Sequence, residues 1–171
     1  MKALIVVDMQ NDFVSGALGS SDAQKIVPNV KRRIDEYVKQ NHIVVYTRDT
    51  HSADYLKTAE GEKLPVEHCI CGTHGWELID DIYIPGADII DKPTFGYMGW
   101  KKYFEHDDLE SIEVIGLCTD ICVLSNVIIL KATFPEVPIF VNASCCAGVN
   151  LESHMNALSL MENSCQINII R

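Results

Sequence analysis

Hydrophobic and polar positions along this chain follow two different periods. Short β-branched runs, each bounded by turn or polar residues, stand at Ala3–Val7, Ile43–Thr47, Asp88–Ile90, Ile112–Ile115, Ile139–Val141 and Gln166–Ile170, and each predicts a strand. Between them the period lengthens. Val27–Gln40 carries Val27, Val30, Ile34 and Val38 at helical spacing, with Lys and Glu on the other face. Asp120–Ala132 is apolar nearly all round, as a helix buried in the molecule is. Ser153–Glu162 places Met155, Leu158 and Met161 at helical spacing, and a shorter helix is expected over Met98–Glu105. Strands alternating with helices predict an α/β fold with a parallel sheet covered on both faces. One stretch breaks the rhythm. From Asp49 to about Tyr83 the chain is polar, punctuated by Gly and Pro, and rich in His and Cys. Long loops in compact domains tend to carry function.

Composition narrows the classes. The 171 residues suit one domain with one sizeable core, with no repeat or low-complexity tract. A net charge of −10 makes phosphate-backbone binding a poor expectation, so no nucleic-acid partner is expected. No apolar run approaches the roughly 18 residues a membrane span needs. Met1-Lys2 leads straight into Ala3–Val7 and then Asp8, too short for a signal-peptide core, so a cytoplasmic location is expected. The seven cysteines, Cys69, Cys71, Cys118, Cys122, Cys145, Cys146 and Cys165, argue by their odd count and scatter against a disulfide framework.

Cys122 stands apart from the other six. The run Val114-Ile115-Gly116-Leu117 breaks at the glycine, and a helical pattern opens from about Asp120. Cys122 therefore falls in the first turn of a helix, just past a strand's C-terminal end. Helix N-termini stabilise thiolates, and open α/β sheets bind ligands at that edge. Asp8 follows the first strand and Lys92 follows Asp88–Ile90, so a parallel sheet gathers Asp8, Lys92 and Cys122 at one edge. A carboxylate that takes the thiol proton and an ammonium that favours the thiolate make a working nucleophile. Each alone has a plainer reading: Asp8 as a turn former, Lys92 as a solvated loop residue.

A second constellation is Asp49, His51 and His68, with Glu60 in the same loop as a fourth member. Asp49 and His51, at i and i+2, point the same way on an extended segment. Carboxylate and imidazole together suit Zn²⁺, Fe²⁺ or Mn²⁺. Surface loop histidines are the plainer alternative, and a zinc site drawing on Cys69, Cys71, His68 and His74 is a weaker one. Phe13 and the Phe95–Tyr97–Trp100 cluster are candidates to line a pocket for a flat ring, although Trp100 reads better as core.

Three motifs together resemble the isochorismatase-like cysteine hydrolases and, within them, the nicotinamidase/pyrazinamidase group. They are Val7-Asp8-Met9-Gln10-Asn11-Asp12-Phe13, Gly116-Leu117-Cys118-Thr119-Asp120-Ile121-Cys122-Val123, and Thr47-Arg48-Asp49-Thr50-His51 with His68-Cys69-Ile70-Cys71-Gly72-Thr73-His74-Gly75. The resemblance covers essentially the whole chain. It implies a three-layer α/β/α fold on a six-stranded parallel sheet and an Asp8–Lys92–Cys122 triad. It implies a divalent metal, zinc before iron or manganese, held by Asp49, His51, His68 and Glu60. It implies a cis peptide between Leu117 and Cys118, and an oxyanion hole made by the backbone N–H groups of Cys118 and Cys122. It implies a substrate pocket including Phe13, Phe95, Tyr97 and Leu117. The implied reaction is hydrolysis of a small heteroaromatic carboxamide, nicotinamide to nicotinate and ammonia, as in pyridine nucleotide salvage; homo-oligomers are common in the family. The chain departs from the group at Pro65, where a ring-stacking tryptophan usually stands, and at Phe95-Gly96-Tyr97-Met98. That departure motivates an alternative, a related amidase for another small amide or ureido compound. A metal- or thiol-binding protein without turnover is a third reading.

Overall fold

The computed structural model describes residues 1–171. Six strands form one parallel sheet: β1 Lys2–Val7, β2 Ile43–Asp49, β3 Asp88–Lys92, β4 Ser111–Leu117, β5 Ile139–Ala147 and β6 Asn168–Ile170, in the order β3-β2-β1-β4-β5-β6. The helices are α1 Asn11–Val14, α2 Ser21–Lys39, α3 Ala59–Lys63, α4 Trp100–Tyr103, α5 Leu124–Thr133 and α6 Leu151–Ser164. The α/β class and the six-stranded parallel sheet expected from the sequence are both present. Ala3–Val7 is fully buried, as its unbroken apolar run requires of a strand covered on both faces. Strand order reverses between β1 and β4, the topological switch point at which open α/β sheets form their crevice.

Several boundaries differ from the sequence reading. α2 begins at Ser21 rather than Val27, because Ser20 caps it by accepting from the Ala23 N–H (3.0 Å) and Ala23 and Ile26 extend its buried stripe. α6 begins at Leu151, capped by Asn150, whose side chain accepts from the Ser153 N–H at 2.8 Å. The helix expected over Met98–Glu105 is the single turn α4. The segment expected as one helix from Asp120 is a π-helical turn, Thr119–Val123, running into α5. The last strand starts at Asn168, since Gln166, with φ +60°, leaves the extended region. Within the 49–83 loop, Tyr55–Lys57 and His74–Trp76 form single 3₁₀ turns and α3 forms one short helix.

Glycine shapes the approach to the turn that carries Cys122. Gly116 has φ +117°, and a Cβ there would lie 2.1 Å from the Val7 carbonyl oxygen. Only glycine lets β4 run this close to β1, two residues before Cys118. On the opposite half of β4, buried Glu113 accepts from Arg33 through both carboxylate oxygens and from the Tyr37 hydroxyl at 3.0 Å, tying α2 to the sheet. No helix is long and apolar enough to cross a membrane.

Candidate active site

Four side chains reach the sheet's C-terminal edge from four consecutive places in the strand order. Lys92 ends β3, Asp49 ends β2, Asp8 follows β1, and Cys122 lies in the turn after β4. Asp8 has φ +49°, a left-handed conformation that bends the chain off β1. Its Oδ1 accepts from the Thr47 hydroxyl at 2.7 Å. Lys92 is completely buried. Its Nζ stands 2.7 Å from Asp8 Oδ2, an ion pair without hydrogen-bond alignment, and 3.6 Å from Asp49 Oδ1. The same ammonium donates to the Thr94 carbonyl at 3.1 Å and to Cys122 Sγ at 3.6 Å. The sequence-derived trio is thus brought together around one lysine.

The electrostatics correct one expectation. A helix N-terminus and Lys92 were expected to favour a thiolate. Burial instead pushes the Cys122 thiol well up, the Asp8 carboxylate adds to the rise, and Lys92 opposes it without prevailing. A thiol raised in this way needs a proton acceptor before it can attack as the thiolate. Burial also raises Asp8, against the pull of Lys92, which makes it a stronger base than a surface carboxylate. Burial works against charge on Lys92, but Asp8, Cys122 and Asp49 outweigh it and hold the ammonium protonated.

Asp49, His51, Glu60 and His68 converge a few ångströms away, their candidate ligand atoms all within 4.8 Å of one another. His51 Nε2 is 2.8 Å from Asp49 Oδ2, and His68 Nε2 is 3.7 Å from the same oxygen. Glu60 Oε1 lies 3.8 Å from His51 Nε2 and 3.9 Å from His68 Nε2. The Val66 carbonyl can only accept, so His68 donates through Nδ1 at 2.8 Å and presents Nε2 to the cluster. Burial opposes charge on Asp49, yet the hydrogen bond from His51 and the nearby His68 and Lys92 hold its carboxyl well below the usual range. Asp49 Oδ1 is buried with no hydrogen-bond partner. Two imidazoles and two carboxylates, with one Asp49 oxygen left without a hydrogen bond, are the donor set of a borderline divalent transition ion. Cys69, Cys71 and His74 do not join this cluster. Cys69 is buried, with burial raising its thiol, while Cys71 and His74 are exposed.

Several supporting residues carried no sequence signal of their own. Buried Gln10 accepts from the Asp49 N–H at 2.8 Å and donates to the Asp49 and Trp76 carbonyls at 2.9 and 2.8 Å. The Tyr55 ring packs on His51 and His68, with centroids 4.7 and 4.9 Å away. Asn126 donates to the Cys122 carbonyl at 2.8 Å and accepts from Tyr97 N and Trp100 Nε1, both at 3.0 Å. Gln10 lies inside a quoted motif. Tyr55 and Asn126 act across distances that no local pattern encodes.

Both centres open onto one mainly apolar cavity of about 650 Å³, walled by Phe13, Phe95, Leu117, Leu64, Ile121 and Val149 among others. Asp49, Glu60, His68, Cys118 and Cys122 lie in the same wall. Tyr97 does not. Its ring packs edge-on against Trp100 (5.1 Å), which is fully buried core, because Asn126 holds the Tyr97 backbone inward. Pro65 is also absent from the wall, and its neighbours Lys63 and Leu64 line that side. The Leu117–Cys118 peptide is cis.

With this geometry in view, the isochorismatase domain family matches residues 2–169. The chain belongs to the isochorismatase domain family. It is 29% identical over 177 residues to an isochorismatase family protein of Bacillus subtilis, covering 95% of each chain. It is 26% identical to the nicotinamidase of Escherichia coli, covering 95% of this chain and 91% of that one. The crystal structure of the pyrazinamidase of Pyrococcus horikoshii in complex with zinc superposes with a TM-score of 0.86 at 27% identity, over 99% of this chain and 98% of that one. Family and relatives together make this isochorismatase-domain protein a hydrolase of the amidase kind.

Proposed function

We propose that this protein hydrolyses a small heteroaromatic carboxamide, nicotinamide first, to the carboxylic acid and ammonia through a thioester on Cys122. The observation that carries the reading is the placement of Lys92 Nζ, 2.7 Å from Asp8 Oδ2 and 3.6 Å from Sγ of Cys122, which shares a cavity wall with Asp49, Glu60 and His68 of the four-ligand cluster. Asp8 takes the Cys122 proton as the sulfur attacks the carboxamide carbon, and Lys92 balances the negative charge left on sulfur. The backbone N–H groups of Cys118 and Cys122 donate to the oxyanion. As the C–N bond breaks, Asp8 returns its proton to the departing nitrogen and ammonia leaves. Water then attacks the thioester carbon and Asp8 accepts its proton. The C–S bond breaks, the acid is released, and the proton returns to Cys122.

Asp49, His51, His68 and Glu60 would hold the divalent metal, zinc first among candidates; when bound it supplies a Lewis-acid anchor for a ring nitrogen. Tyr55 fixes the two imidazoles, and Phe13, whose ring centroid is 5.5 Å from that of His68, provides the adjoining apolar wall. Nicotinamide turnover places the enzyme in pyridine nucleotide salvage. A second reading, an amidase for another small amide or ureido compound, draws support from Pro65 standing where the group usually has a ring-stacking tryptophan and lying outside the cavity wall. Ammonia release from a panel of nicotinamide, pyrazinamide and N-carbamoyl compounds separates the two. Turnover of nicotinamide that is lost in Cys122→Ala supports the first reading, and turnover of the ureido compounds alone replaces it with the second.

A further inference from the structure

The turn that carries Cys122 is braced from behind. Thr119, the first residue of the π-helical turn, is fully buried and lies in the chain between Cys118 and Cys122, whose backbone N–H groups are assigned above to the oxyanion. Its hydroxyl has one side-chain partner, Nδ1 of His154, at 2.7 Å. His154 sits in the first turns of α6, which Asn150 caps. The next residue of the turn, Asp120, is tied to the same region, since its Oδ1 accepts from the Val149 N–H at 3.1 Å. The fit is close. A Cβ on Gly148 would meet Asp120 Oδ1 at 2.9 Å and the His154 backbone N at 2.9 Å. Two consecutive residues of the nucleophile turn are therefore anchored to one junction, between β5 and α6. His154 is not part of the wall of the large cavity, and its own pKa is lowered chiefly by burial, so it stays neutral near pH 7.

We propose that His154 is a positioning residue of the reaction, fixing the nucleophile turn through Thr119 so that Cys122 and the backbone donors of Cys118 and Cys122 face the substrate together. The inference rests on the thioester reading above. A buried hydroxyl bonded to a neighbouring element ties the turn to that element and limits its displacement. A displacement of about 1 Å at reacting atoms costs on the order of a hundredfold in rate. Asp8 and Lys92 belong to other strands and would not follow a shift of this turn, so a loose turn also spoils the spacing of Cys122 from Lys92.

The test compares the full chain, metal-loaded, with His154→Ala, His154→Asn, Thr119→Val and the His154→Ala/Thr119→Val double variant. Three readouts are taken: kcat and KM for nicotinamide, the affinity for pyridine-3-carbaldehyde, which Cys122 can trap as a thiohemiacetal, and the site-resolved rate of Cys122 alkylation by iodoacetamide. Loss of the brace predicts a fall of about ten- to a hundredfold in kcat with little change in KM. Aldehyde affinity and alkylation rate fall with it. His154→Asn, whose amide still reaches the Thr119 hydroxyl, recovers most of the loss, and the double variant is no worse than either single change. His154→Ala matching the parent in aldehyde trapping and alkylation overturns the proposal, as do independent, additive losses in the double variant. If His154→Ala does not fold, Thr119→Val removes the same bond from the other side and decides by the same readouts. A parent that fails to turn over nicotinamide sinks the nicotinamide reading alone, because the alkylation series still reports on the brace.

Discussion

The nucleophile centre and the metal-ligand cluster lie side by side but are built differently. Asp8, Lys92 and Cys122 come from the ends of strands and the turn after one, and their exposures are 0%, 0% and 4%. The cluster takes Asp49 from a strand end, but His51, Glu60 and His68 from the long loop, and the Glu60 side chain is 26% exposed. The proposed bond-making groups thus sit on the sheet frame, while the groups proposed to orient a substrate sit mostly on a loop, the kind of segment that can change without disturbing a sheet. Lys92 joins the two, paired with Asp8 and 3.6 Å from Asp49.

Substitutions can separate the two regions. The largest effect is expected from Cys122→Ala, which should lower ammonia release by about 10⁴-fold or more while leaving metal stoichiometry intact, as measured by elemental analysis. His68→Ala should do the reverse. Bound metal falls to background and turnover drops by about a hundredfold, while Cys122 is still alkylated. Retained turnover in the metal-free variant would show that the cluster has no part in orienting substrate. Gln10→Leu, which frees the Asp49 backbone, should weaken metal affinity by about ten- to a hundredfold by competition with a chelating dye, with alkylation unchanged. Phe13→Ala should raise KM for the amide by roughly two- to tenfold without lowering kcat, the scale of a lost aromatic contact.

The pH dependence sharpens the contrast further. Burial opposes charge on His68, but the nearby Asp49 carboxylate and the bond to the Val66 carbonyl outweigh it, so its pKa in the folded, metal-free chain is raised above 6.5. A raised histidine stabilises the metal-free fold fully below the unfolded pKa and loses that contribution as pH rises through the folded value. Metal needs the neutral imidazole, so its binding strengthens over the same rise. The gain in melting temperature on adding Zn²⁺ should therefore be larger at pH 8 than at pH 6. Equal shifts at both pH values would remove His68 from the ligand set.

The frame was easier to read in the sequence than the loop. β1 announces itself because a strand buried on both faces has no polar position to confuse its period, and Asp8 is the first residue to break it. Asp49, His51 and His68 were legible as chemistry because few residue types bind metal. Their supports were not. Tyr55 looks like any loop tyrosine, and Asn126 bridges Cys122 to Tyr97 and Trp100, a contact between segments that no local period encodes. Tyr97 was placed in the pocket wall on its aromatic character, but the bond from its backbone to Asn126 turns it toward Trp100. The rise that burial gives the Cys122 thiol was not legible either, because desolvation depends on everything packed around the thiol rather than on its neighbours in the chain.

The reversal of strand order between β1 and β4 bears on how the molecule is made. The first 110 residues of a growing chain include β1, β2 and β3, and with them Asp8, Asp49, His51, His68 and Lys92. The other edge of β1, from Lys2 to Val7, waits for Ser111–Gly116. Until those residues emerge, a strand apolar from Ala3 to Val7 shows an open row of backbone donors and acceptors, the kind of edge along which unfinished chains stick to one another. The insertion that closes this edge also delivers Cys122, so an incomplete chain carries the exposed edge and no nucleophile.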